Sequence, residues 1–309
     1  GQGSSLISFV HHLPNVDIIA REENPQHVAL CCMNLIVNGV YHADVRCTNV
    51  LIGTSADTIK VDYAVAHFPF GQYINSDIIK DQQYLSIPFD INTPRLHCNA
   101  LFIQKMLSKL NKEGKMLALM PIHFLSNGGE DKKLREFLIR RDLIESVVAL
   151  PFGLLYSTGI PVCILVINKN KAIYRKEQVV FINGANLKVK AKTKLYRELT
   201  ERQINQIAEA FHFLNTENAP GLKDCVVRIP IHQIILNDYH LDAKRYASPF
   251  ISELRKLESK GSLIKLKEVF KKEQPSLWFD NAFQDIPYIR PQHLGDSLSN
   301  YLVDIRNCP

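Results

Sequence analysis

Compact apolar runs alternate along this chain with stretches in which apolar positions recur every three to four residues. A short extended run, Val16 to Ile19, precedes a helical pattern from about Pro25 to Ile36. Asn24 and Pro25 stand at its N-cap and first helical positions, and Asn38-Gly39 closes it. Asp44 to Cys47 and Val61 to Ala66 read as strands. Ala100 to Leu110 has helical spacing, and Lys112-Glu113-Gly114 is expected to end that helix. "KMLALMPI", "SVVALP" and "VCILVINK" are apolar throughout, as strands covered on both faces are. Asp131 to Arg141 predicts a helix with Arg135, Arg140 and Arg141 on its solvent face. Thr200 and Gln203 form a capping box for a helix reaching about Leu214, and Ser248 to Gly261 reads as a further amphipathic helix. Strands that are apolar rather than alternating, interleaved with helices, predict an α/β fold: a doubly wound, mainly parallel sheet covered on both faces.

Composition narrows this picture. At 309 residues the chain has room for about two domains, or one large α/β domain with a small C-terminal appendage. With 46% hydrophobic and 22% charged residues it is neither disordered nor collagen-like. No apolar run approaches the ~18 residues of a spanning helix, so no membrane partner is expected. No basic segment precedes an apolar one at the start, so no secretory leader is expected. Seven cysteines without a C-x-x-C pair read as reduced, mostly buried thiols of a cytoplasmic protein. The scattered histidines suggest no metal site. The net charge of +6 biases the chain towards polyanions. From Asn168 to Glu198 nine Lys/Arg face two Glu. There Lys188, Lys190, Lys192 and Lys194, two apart, either track a phosphate backbone or solvate a hairpin.

In a doubly wound sheet, ligands bind beyond the carboxyl ends of the strands, where glycines let backbone approach. Gly1-Gln2-Gly3, opening a helix, is one such turn, and Glu22 follows about 20 residues later at the end of the next strand. A glycine turn plus an acid for a ribose diol is the layout of both dinucleotide and S-adenosylmethionine sites. No complete G-x-G-x-x-G exists, which disfavours a nicotinamide-dependent oxidoreductase. Further on, "VDYAVAHFPFGQ", residues 61 to 72, is a strand running into a Pro-aromatic-Gly loop.

That segment resembles the D-x-V-L-A-N-P-P-F-G stretch of adenine-N6 DNA methyltransferases, specifically the modification subunits of type I restriction-modification systems. The likeness continues through "EENPQHVALCCMNLIVNG", "FIQKMLSKLNKEGKMLALMP", "LREFLIRRDLIESVVALPFGLLYSTGIPVCILVINKNK", "LTERQINQIAEAF" and "NDYHLDAKRY". It covers roughly residues 1 to 246, and Asp142 to Lys169 is its most specific part. The residues after about 262, "LIKLKEVFKKEQPS" and "IPYIRPQHLGD", resemble the opening of a target-recognition domain of a type I specificity subunit.

The resemblance implies a bacterial, cytoplasmic methyltransferase with S-adenosylmethionine as cofactor. Its implied partners are DNA and the specificity and restriction subunits. Residues 1–172 would be the core, 173–246 its basic extension and C-terminal helical part, and 247–309 a linker helix with a partial specificity-like unit. In the family, an Asn side chain and the carbonyl of the first Pro accept the two N–H bonds of a flipped-out adenine, on which an aromatic residue stacks. Here those positions are His67, Phe68, Pro69 and Phe70. Gly1, Gly3, Glu22, Asn49 and Asp62 correspond to the cofactor side, with Asn49 standing where the family has an acid. Losing one well-placed acceptor costs on the order of 3–4 kcal/mol, or 100- to 1,000-fold in rate. Two readings therefore stand: an adenine-N6 methyltransferase, or an inactive relative serving in DNA binding or subunit assembly.

Overall fold

The computed structural model describes residues 1–13, 15–52, 59–88, 93–156, 158–192, 196–213 and 220–259. The chain divides into two units, 1–256 and 257–309; of the second, only the end of the last helix lies among the described residues. The expected specificity-like segment after residue 262, and Cys308, lie outside them.

The first unit begins with helix α1 (Ser4–His12), strand β1 (Ile18–Glu22), α2 (Pro25–Val37) and β2 (Ala43–Cys47). There follow β3 (Val61–His67), β4 (Tyr73–Asn75), α3 (Ser76–Ile79), β5 (Arg95–His97), α4 (Cys98–Lys109) and β6 (Leu110–Pro121). Next come α5 (Gly129–Arg140), β7 (Ile144–Ala149), β8 (Val162–Asn168), β9 (Gln178–Asn183), β10 (Lys190–Ala191) and β11 (Arg197–Glu198). The last elements are α6 (Glu201–Phe213), β12 (Val226–Pro230), α7 (Ile231–Leu236), α8 (Ala243–Tyr246) and α9 (Pro249–Ser259).

Six strands form one sheet in the order β12-β9-β7-β8-β6-β3. The α/β class holds, but the sheet is mixed. β3–β6 and β7–β9 are parallel, whereas β6–β8, β7–β8 and β9–β12 are antiparallel. An apolar run reports cover on both faces and says nothing about direction, which is set here by the connection that slots β8 between β6 and β7. Cover is complete over β7, whose six residues are all buried. Val147 and Ala149 face a large core with Met116, Met120, Leu134, Leu138 and Phe181. Val148 and Leu150 face a smaller one with Ile182, Ala210 and Leu222.

β1 and β2 form a separate parallel pair. Its core is slight: Ile18, Cys31 and Leu35 are buried against part-covered residues of α1 and of the strands. The expected cap of α2 is present, Asn24 Oδ1 accepting from the Gln26 amide at 2.9 Å. The capping box of α6 is present too: the Gln203 amide donates to Thr200 Oγ1 at 3.3 Å, and the Thr200 amide to Gln203 Oε1 at 2.9 Å.

Two expectations are corrected. Lys112-Glu113-Gly114 does not close a helix. Residue 110 already pairs with Val61 and residue 115 with Tyr63, so these turn-forming residues make a bulge at the start of β6. Arg135 is not on a solvent face but is 1% exposed, donating to the carbonyls of Tyr239 (2.9 Å), Phe124 (2.6 Å) and Asn127 (2.7 Å). A guanidinium that donates to three backbone carbonyls is tolerated in a core.

Candidate active site at the carboxyl ends of the strands

β3 delivers His67 to its carboxyl end, opposite Leu119 of β6. The chain then turns, and three side chains part company. Phe68 is buried and stacks on Phe102 of α4, with centroids 4.7 Å apart and planes 10° apart. Pro69 is exposed. Phe70 is half-buried on the smaller core, its ring 5.2 Å from that of His67. Gly71, at φ +72°, supplies the left-handed turn that ends the corner. The next residue, Gln72, offers its carbonyl to the first amide of α4, Cys98, at 2.9 Å. The His67 ring keeps an exposed edge, yet neighbouring atoms desolvate it enough to push its pKa below the ordinary imidazole value. It is neutral at pH 7, with one ring nitrogen able to accept a hydrogen bond.

The cofactor-side residues gather at the carboxyl ends of β1 and β2. Gly3 caps α1 with φ +86°, and a Cβ there would lie 3.0 Å from Cys31 Sγ, so only glycine fits without a shift of α2. Glu22 ends β1 and accepts from the Asn24 amide at 2.8 Å. Beside it, the Thr48 amide donates to the Glu22 carbonyl at 2.8 Å. Asn49 follows and accepts from the Leu51 amide at 2.9 Å. Leu51 packs into the same core as Phe68, which links this group to the corner. The set fits S-adenosylmethionine in kind: a carboxylate oriented by a backbone amide at a strand's carboxyl end, beside the left-handed glycine that opens α1.

Asp62 lies at the start of β3, opposite the corner. It is five residues before His67, so about 16 Å away along the strand, and it accepts from Asn111 Nδ2 at 2.6 Å at the far end of β6. Lys190 and Lys192 are exposed on the β10–β11 hairpin and Lys188 just before it. Lys192 pairs with Glu198 at 3.1 Å; Lys194 lies outside the described residues. Sequence reasoning also missed a polar cluster near the corner. His97, the N-cap of α4, accepts from the Asn99 amide at 3.4 Å and stands 6.3 Å from the His123 ring and 5.0 Å from Tyr73. Asp131 is buried, and that burial raises its pKa against the opposing charges of His97 and Arg135. These residues are far apart in sequence, and only the fold collects them. Among the described residues no group of His, Cys, Asp and Glu is arranged to hold a metal ion, and no helix is long and apolar enough to cross a membrane.

Residues 1–253 match the family model described as N-6 DNA Methylase. The chain is 28% identical to the type I restriction enzyme MjaVII methylase subunit of Methanocaldococcus jannaschii over 90% of its length and 49% of the relative's. To the MjaVIII methylase subunit of the same organism it is 30% identical, over 81% of this chain and 45% of that one. It thus spans about half the length of these curated relatives. The type I restriction-modification system methyltransferase subunit from Streptococcus thermophilus superposes with a TM-score of 0.69 at 22% identity. That alignment covers 80% of this chain and 52% of the other, and it demonstrates a shared methyltransferase fold.

Proposed function

This chain belongs to the N-6 DNA methylase family, and we propose that it is the methylase core of a type I-like modification subunit, methylating the exocyclic N6 of adenine in DNA. The observation that carries this reading is the fixed 67–71 corner at the carboxyl end of β3, where a flipped base would be received. The lone pair of an adenine N6 is delocalised into its ring, and two acceptors on its N–H bonds localise it. Neutral His67 supplies one acceptor nitrogen and the Phe68 carbonyl the other. A proline would hold that backbone by its ring; here stacking of Phe68 on Phe102 supports it instead. Phe70 is the residue for stacking on the base. S-adenosylmethionine, when bound, supplies the methyl group. Gly1 and Gly3 would let its tail approach backbone, Glu22 would accept from its ribose, and Asn49 would lie beside its adenine. Asp62, at the other end of β3, would support the strand rather than touch the base.

By the same reading the chain works in the cytoplasm on DNA, with specificity and restriction subunits, as befits a relative of type I methylase subunits. Lys188, Lys190 and Lys192 are its candidate phosphate contacts. A second reading, a silent relative that grips DNA or assembles a complex, is favoured by imidazole standing where the family has an amide. Transfer of a labelled methyl group into adenine-containing DNA decides between them. Incorporation by the full chain supports the first reading. Micromolar S-adenosylmethionine binding without incorporation, plus recovery on combining His67→Asn with Phe68→Pro, supports the second. If acceptor geometry alone limits the rate, that double variant gains roughly 100- to 1,000-fold.

A further inference from the structure

The loop between β7 and β8 exposes two aromatic rings, Phe152 at 54% and Tyr156 at 77%. It is tied down nonetheless. The Arg197 amide donates to the Gly153 carbonyl at 2.9 Å, and a Cβ on Gly153 would touch the Arg197 side chain at 3.4 Å. This joins the loop to the β10–β11 hairpin. Across the junction the rings of Tyr156 and Tyr196 stand 6.0 Å apart with their planes at 59°. Leu154 and Leu155 of the loop pack on the same apolar cluster as Phe70. The aromatic loop is therefore tied directly to the basic hairpin, and it shares one apolar cluster with Phe70 of the corner. On the hairpin side Lys188, Lys190, Lys192 and Arg197 are exposed, against Glu198, already paired to Lys192, and Glu201.

We propose that Tyr156, backed by Tyr196, is a stacking platform for an unpaired DNA base next to the one received at the corner, with Lys190 and Arg197 alongside its phosphates. The inference rests on the DNA reading above and adds a second contact to it. Cations beside an exposed phenol ring match a nucleotide on both counts. The ring stacks on any base, and the cations neutralise phosphate. An aliphatic partner surface would leave those charges unanswered, and a bare polyanion would leave the rings unused.

The test uses the full chain and a single-stranded oligonucleotide carrying one 2-aminopurine, read by anisotropy and by probe fluorescence. Stacking predicts quenching of the probe by the wild type. Tyr156→Ala should relieve the quench and weaken binding by about 5- to 150-fold, whereas Tyr156→Phe should keep both. Lys190→Ala and Arg197→Ala should each lower the salt slope by about 0.7 without restoring fluorescence. DNA binding unchanged in Tyr156→Ala, with no quench to relieve, overturns the platform and leaves the DNA reading standing. Polyphosphate competing as well as the oligonucleotide, nucleotide for nucleotide, also overturns the platform. A wild type that binds no DNA at all overturns the broader reading, and the platform falls with it.

Discussion

The two halves of the candidate site rest on very different foundations. The corner that would receive a base is attached to the six-stranded sheet, through Phe68 in a core that includes Met116, Met120, Leu138 and Phe181, all fully buried. The glycine turn and Glu22 that would face the cofactor rest on a two-stranded pair whose buried core is Ile18, Cys31 and Leu35. The outward face of α2 even leaves Met33 and Val37 at 61% and 84% exposed. Stability comes from apolar area removed from water and from dense packing. The acceptor side should thus be held by the global fold, and the cofactor side by a local equilibrium of its own.

Truncation in the large core should break that contrast most severely. Phe181 is fully buried, its ring 4.4 Å from that of Tyr246. Phe181→Ala should cost about 3–5 kcal/mol of global stability, seen as a lower midpoint in chemical denaturation. Exchange should then rise through β7 and β9 together. Loss confined to the β1–β2 pair would show that the two regions are ranked the wrong way round.

Leu35→Ala comes next, at about 2–3 kcal/mol, and its effect should be local. Hydrogen exchange should quicken across residues 18–37 while residues 144–149 keep the protection of the parent. Uniform acceleration over both segments would mean that the pair and the large sheet unfold as one.

The contrast also explains what could be read in advance. α2, α6 and the runs in β6, β7 and β8 announce themselves by caps and by unbroken apolar stretches, because burial is local in their sequence. β9, "QVVFIN", is as apolar but leads straight into the basic tract, which drew attention to charge instead. The three-residue strands β4 and β5 are too short to show a period. Arg135 was legible and missed. Asp131, Leu134, Arg135, Leu138 and Ile139 are the buried stripe of α5, at the spacing i, i+3, i+4, i+7 and i+8. Charge on two of those positions disguised the stripe. In the candidate site, residue types pointed to the corner and to Glu22, whereas Asp62 matched by pattern and sits at the opposite end of β3 from His67. Strand length, which converts residue count into ångströms, is what shows that separation.

The smallest effect sharpens the acceptor side. The folded pKa of His67 lies below the ordinary value near 6.5 because the ring is partly desolvated. Between those two values the unfolded chain binds more protons than the folded one, so stability rises with pH across the window and falls as acid is added. Above the ordinary imidazole value the contribution is flat, since both states are neutral there. Comparing urea midpoints of the parent with those of His67→Asn on either side of pH 6 isolates this slope. The variant should lack it, and its deficit or gain relative to the parent should be constant at higher pH. A parent–variant difference independent of pH from 5 to 7 would mean that His67 titrates as a solvated imidazole. Half of it would then be protonated near pH 6.5, and the acceptor nitrogen assigned to it would vanish over the range in which the proposed methylation should still run.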